Sequence, residues 1–209
     1  MMEAISVIFQ DSLSMTLHFF DTATVAATPW RNGGGTTREL ACFPAGAAMD
    51  NFAWRISIAD IAADGPFSAF PGVDRVITLL DGDGVRLSTA DGQLDHRLDT
   101  PLAPFAFAGE APIVSTLLGG HTRDFNVMTR RQGWQAEVSI LRSAATLAAC
   151  DGGLLYACGG SWAVNDTAAL QAGQGAYWTA RAVCVALAPA SPDAALIAVR
   201  LIRVAGASA

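Results

Sequence analysis

Apolar and polar residues alternate with a period of two along much of the chain, in short runs closed by glycine and proline. The clearest run covers residues 52–59. Phe52, Trp54, Ile56 and Ile58 fall on one face, and Ala53, Arg55, Ser57 and Ala59 on the other. The first face reads as core. The second carries a charge in mid-strand, flanked by small residues. Similar runs predict strands over residues 16–20, 36–42, 74–80, 85–88, 134–141, 183–187 and 194–204, with further apolar candidates at 113–118 and 147–150. Turn chemistry separates them at Phe43-Pro44-Ala45-Gly46, at Asp81-Gly82-Asp83-Gly84 and at Asp91-Gly92-Gln93. A longer turn-rich connection, residues 64–72, holds Phe67 and Phe70. Little helix is expected; only the alanine-rich patches 144–149 and 168–172 suit a helical turn each.

The texture repeats. Residues 154–164 can be laid on residues 77–87, both reading strand, glycine turn, strand, and 170–178 then takes the part of 98–109. Short strands at close spacing indicate a sandwich or barrel, and two related halves suggest two fused small barrels. Residues 15–131 are assigned to a first barrel with its linking strands. Residues 132–209 are assigned to a second half packed on the first as one compact unit. Residues 1–14 stand apart, as a non-native extension ahead of Met15 or as a short edge strand.

Composition narrows the chemistry. The chain has 209 residues, 52% of them hydrophobic, enough for a substantial core. A net charge of −6 leaves no basic footprint for nucleic acid. All 13 basic residues are arginine, which excludes a Schiff-base lysine and a P-loop lysine together. The four cysteines lack C-x-x-C spacing and read as reduced, buried thiols of a cytoplasmic protein. No signal peptide and no membrane span are expected. His18, His96 and His121 show no ligand spacing, so no metal and no other cofactor is expected. His96 reads as solvated in a polar hairpin, and His18 can face either way. No G-x-S-x-G elbow and no G-x-G-x-x-G loop occurs.

What remains is a polar set spread over strands. Pro29-Trp-Arg-Asn-Gly-Gly-Gly-Thr-Thr-Arg-Glu-Leu40 concentrates the most functionality, either as a tight turn into a strand or as the wall of a site. Arg55 is the sharpest member. Turned into a barrel it needs a partner, because an unpaired buried charge costs several kcal/mol. Glu39 is the structural partner; a ligand carboxylate, forked bidentately, is the functional one. Asn32, Thr37 and Ser57 can surround the same spot. Asp124 and Asn126, two apart, share a face if their segment is a strand, and otherwise read as a turn or cap. Arg75, beside Asp74, reads as a surface or strand-end ion pair. Trp30, Phe67 and Phe70 are rim or core.

The runs PWRNGGGTTREL, FAWRISIADIAADGPFSAFPGVDRVITLLDGDGVRL and GGHTRDFNVMTRR resemble the HutD/Ves family in order and spacing. The resemblance covers about residues 15–131 strongly. It implies an all-β bicupin, two cupin-like barrels in one chain with little helix, without the usual metal histidines. It also implies a role beside histidine utilisation, binding an intermediate such as N-formylglutamate or urocanate, or a stress-linked role of the Ves type. The expectation is a non-enzymatic, cytoplasmic binder of a small carboxylate, using Arg55, Asn32, Thr37, Glu39, Ser57, Asp124 and Asn126. A homodimer is compatible with this. The alternatives are a metal-free isomerase or hydrolase with Glu39 or His18 as base, and a protein-interaction module. On this reading the glycines shape the pocket rather than react in it.

Overall fold

The computed structural model describes residues 4–6 and 16–204. Every regular element among them is a strand, so the chain is all-β with the two-sheet plan of cupin-like barrels, twice over. The alanine-rich patches are strands as well, Ala145–Cys150 and Ala168–Gln171. Helix propensity loses there to pattern: Leu147, Cys150 and Leu170 are buried, and the alanines between them are small enough for either face of a pleat.

The chain divides into two compact units. One is Ala26–Trp134; the other joins the residues before it to those after it. In Ala26–Trp134 a six-stranded antiparallel sheet runs, in spatial order, Pro104–Ala108, Val73–Asp81, Thr122–Arg130, Trp54–Ile61, Gly35–Phe43, Thr28–Pro29. A four-stranded sheet of Gly65–Pro66, Val114–Leu117, Val85–Ser88 and Asp95–Leu98 completes it. Ile61, Ile77 and Leu79 of the large sheet pack with Val85, Leu87 and Leu98 of the small one. Thr122–Arg130, whose segment the sequence left between strand and turn, is a central strand.

The other unit has the same plan. Its six-stranded sheet contains Thr16–Asp21, Gln174–Trp178, Gly152–Gly159 and Ala195–Arg203, and its four-stranded sheet contains Ala145–Cys150 and Ala182–Pro189. Thr16–Asp21 is hydrogen-bonded in register with Gln174–Trp178. Chain order had assigned that strand to the first barrel; the pairing puts it with the C-terminal strands. Of residues 1–14, Ala4–Ser6 forms an edge strand on Thr16–Asp21, and the remainder lies outside the described residues. Cys42 and Cys150 are buried thiols as expected, whereas Cys184 is exposed. No helix among the described residues is long and apolar enough to cross a membrane.

Candidate functional site

Successive residues of a strand point to opposite faces, so one face of the large Ala26–Trp134 sheet can be read off its register. Glu39 lies opposite Ser57, Ser57 opposite Asn126 and Asn126 opposite Ile77, in one row across four strands. Two residues further along, Thr37, Ala59 and Asp124 form a second row. Two residues the other way, Arg55 faces Met128, Met128 faces Arg75 and Arg75 faces Phe107. The register shifts between Glu39 and Ala41, which keeps Thr37 and Glu39 on the same face as Ser57 and Ala59. The opposite face carries Trp54, Ile56 and Ile58, all buried.

The polar rows line a cavity of about 790 Å³. Its floor is buried: Ser57, Ile77, Asp124, Asn126, Met128 and Arg75. Its mouth is exposed and includes Arg31, Asn32, Glu39 and Met49. Phe67 and Phe70 add an aromatic wall from the turn-rich connection, and Trp30 adds another from the glycine stretch. The structure therefore brings Arg55, Asn32, Thr37, Glu39, Ser57, Asp124 and Asn126 to the lining of one cavity.

The glycine stretch holds Trp30 in place. Asn32 Oδ1 accepts a hydrogen bond from Gly34 N at 3.1 Å, closing a turn with Gly33 at φ 71°. Gly35 then passes so close to the next strand that a Cβ there would stand 2.3 Å from the Asp60 carbonyl oxygen and 3.1 Å from the Trp30 ring. Only glycine permits that approach. Trp30 Nε1 donates to Thr37 Oγ1 at 2.7 Å, which leaves the Thr37 hydroxyl proton free to point into the cavity. The stretch is thus a turn and a wall together.

Two guanidiniums serve the cavity in different ways. Arg55 Nε donates to Glu39 Oε2 at 2.6 Å, and Nη1 to Ser57 Oγ at 3.4 Å. The Glu39 side chain is 44% exposed, so this pair sits towards solvent. Arg75 is buried, with 8% of its surface exposed. Its guanidinium carbon lies 4.9 Å from the centroid of Phe107, 5.1 Å from Phe67 and 5.9 Å from Phe70. Its Nε and Nη2 both donate to Asn126 Oδ1, at 3.3 Å. Arg75 is not the ion-pair partner of Asp74: adjacent strand residues face opposite ways, and Asp74 pairs with Arg131 instead. Burial, together with the charge of Arg55, lowers the Arg75 pKa to about 10, which leaves it a cation at neutral pH.

Asp124 is 0% exposed, and neither carboxylate oxygen has a hydrogen-bond partner. Burial raises its pKa to about 7, against the pull of Arg75. Both Arg75 and Asp124 carried a signal in the sequence. Arg75 shares its face with Val73, Ile77 and Leu79, a charge among apolar residues in mid-strand, and its neighbour Asp74 concealed it.

The lining offers a divalent cation two carboxylates and no imidazole or thiol, against three guanidiniums. That donor set does not suit a metal. His18 is not among the residues that line the cavity; its ring stacks on Tyr177 with centroids 4.9 Å apart. His96 is half-buried and stacked on Phe105 with ring centroids 3.6 Å apart, rather than solvated.

The HutD family model matches residues 22–196. A protein named Ves from Cronobacter sakazakii is 42% identical over 163 residues, 78% of this chain and 87% of that protein. The solved structure of HutD from Pseudomonas fluorescens SBW25, in a formate condition, matches at TM-score 0.77 and 27% identity, covering 90% of this chain and 99% of that one. An oxalate decarboxylase from Lactobacillus farciminis, solved as a formate complex, matches at TM-score 0.60 and 8% identity over 92% of this chain and 87% of its own, a likeness of fold alone.

Proposed function

This chain belongs to the HutD family, and on that premise we propose that it is a non-enzymatic binding protein for a small carboxylate metabolite, held in the Ala26–Trp134 cavity. The observation that carries this reading is Arg75. A buried cation ordinarily has a carboxylate partner, because desolvating it alone costs several kcal/mol. Arg75 has none within 4.0 Å; it has a neutral amide, three aromatic rings and an open cavity. Its Nη1 makes no hydrogen bond, so a donor is left for a ligand oxygen. Arg55 stands one strand beyond Met128 on the same row, roughly 10 Å away at the usual strand spacing. An anion between the two arginines relieves their mutual repulsion and completes the pair that Arg75 lacks. Asn126, Ser57 and Thr37 supply neutral hydrogen bonds around it.

In its finer form the reading is a regulator or buffer of histidine utilisation, with N-formylglutamate or urocanate as ligand. Both carry carboxylates and flat, conjugated or amide groups that suit the Phe67, Phe70 and Trp30 walls. Isothermal calorimetry with N-formylglutamate, urocanate, glutamate and formate tests it. We expect saturable binding of at least one, reduced a hundredfold or more in Arg75→Met. Absence of heat from all four, in protein with a cooperative melt, contradicts the reading.

One observation favours a second reading, an isomerase or hydrolase acting on the same metabolites. A carboxyl group near pKa 7, in a cavity beside two arginines, is suited to general acid–base work. NMR of a bound ligand over hours separates the two: an unchanged ligand supports the binder, and a product spectrum lost in Asp124→Asn supports the enzyme.

A further inference from the structure

Asp124 is placed where a carboxylate ligand creates an apparent conflict. Five ionisable residues line the cavity: Arg31 from the glycine-stretch loop, Glu39 from Gly35–Phe43, Arg55 from Trp54–Ile61, Arg75 from Val73–Asp81, and Asp124 itself from Thr122–Arg130. The wall containing Pro66, Phe67, Ser68 and Phe70 brings none. Arg31 and Glu39 are exposed at the mouth, and Arg55 is already paired with Glu39. Arg75 is therefore the cation that favours the ionised form of Asp124. It does so without touching it: the two make no ion pair, and both Asp124 oxygens are buried without a hydrogen bond.

A ligand carboxylate that forks Arg75 removes this support. It neutralises the one charge that favours the Asp124 carboxylate and brings a second negative charge into the same buried space. Two like charges in a low-dielectric site cannot both remain ionised. The free Asp124 oxygens also need a partner, and a protonated carboxyl supplies its own donor. We infer that a carboxylate enters this cavity together with one proton, which settles on Asp124. The inference rests on the carboxylate-binding reading above and assigns Asp124 the part of proton partner to the ligand. The balance is simple: an anion and a proton from solvent go in, and the net charge of the cavity is unchanged. Only a carboxylate that brings its proton is accommodated, so the affinity of the cavity reports pH as well as ligand concentration.

The test is proton-linked calorimetry on the intact chain at pH 8, with formate, N-formylglutamate and urocanate as probes, in two buffers of different ionisation enthalpy. The difference in heat between buffers counts the protons taken up. For a probe that binds, we expect close to one proton per site at pH 8. Affinity should fall by up to about tenfold per pH unit above neutrality and level off below it. Asp124→Asn, which keeps the shape and a donor without the charge, should bind the same probe with no proton uptake and little change of affinity with pH. Binding with no proton exchange in the natural protein overturns this inference and leaves the carboxylate-binding reading standing. Equal uptake in Asp124→Asn overturns it too, by placing the proton elsewhere. Failure of all three probes, and of glutamate added as a fourth, to bind removes the reading beneath it.

Discussion

The two units share a plan, a six-stranded sheet with a four-stranded partner, and differ in what the large sheet presents to the interior. In Ala26–Trp134 one row across the sheet reads Glu39, Ser57, Asn126, Ile77. In the other unit a row reads Phe19, Ala176, Leu155, Ala198. There the interior is closed by Trp162 and Trp178, both 0% exposed. A Cβ on Gly153 would stand 2.3 Å from the Trp178 ring, so even the backbone opposite is shaped to the indole. In the first unit the corresponding space is left open and its floor carries Arg75 and Asp124. The contrast lies in what the two sheets present: indoles and aliphatic side chains in one, polar and charged side chains in the other. One copy is filled by side chains, and the other holds buried charge without an ion pair. On the reading proposed above, a ligand carboxylate completes the second arrangement.

The comparison can be broken by stability measurements, starting with the filled barrel. Trp162→Ala removes a fully buried indole from a packed core and should cost about 3–5 kcal/mol in urea unfolding. Phe67→Ala, half-buried on the wall of the open barrel, should cost about 1–2 kcal/mol. Equal costs would mean that the first barrel is as tightly packed as the second.

Asp124 comes next. Its carboxyl binds a proton more tightly folded, at about 7, than at its ordinary 3.8. The folded state therefore loses stability as pH rises from about 4 to 7; the deficit is constant above that range and absent below it. Asp124→Asn removes the deficit. It should be more stable than the natural protein by a few kcal/mol at pH 8, and indistinguishable from it near pH 3.5. A thermal melt at each pH decides; a gain that does not depend on pH would contradict the account of Asp124.

The smallest effect belongs to the rim. Glu39→Gln breaks the Arg55 pair, but the Glu39 side chain is 44% exposed, and a pair so placed contributes about 1 kcal/mol or less. A larger loss in urea unfolding would move Glu39 from the rim to the structural core of the site.

Much of this was legible in the sequence. The period-two pattern placed most of the strands, and the resemblance to HutD and Ves agrees with the family match and the all-β fold. The alternation at residues 52–59 picked out Arg55 and Ser57, and both line the cavity. Pairing across the sheet was less accessible. Thr16–Asp21 bonds to a strand more than 150 residues away, as Tyr177 opposite His18 shows, and no local pattern encodes such a partner. Arg75 was obscured by sequence adjacency to Asp74, although a pleat turns the two apart. The burial of Asp124 depends on its strand being central, which follows from pairing with both Trp54–Ile61 and Val73–Asp81.

On the proposed reading, the Ala26–Trp134 barrel is the one that takes a carboxylate. Methyl-labelled NMR during titration with N-formylglutamate tests it most directly, because methyl groups report from both interiors at once. We expect saturable shifts at Ile61, Ile77 and Met128, none at Leu155, Leu187 and Leu196, and loss of all shifts in Arg75→Met. Shifts centred on Leu155, Leu187 and Leu196, or shifts at Ile77 and Met128 that persist in Arg75→Met, would contradict it.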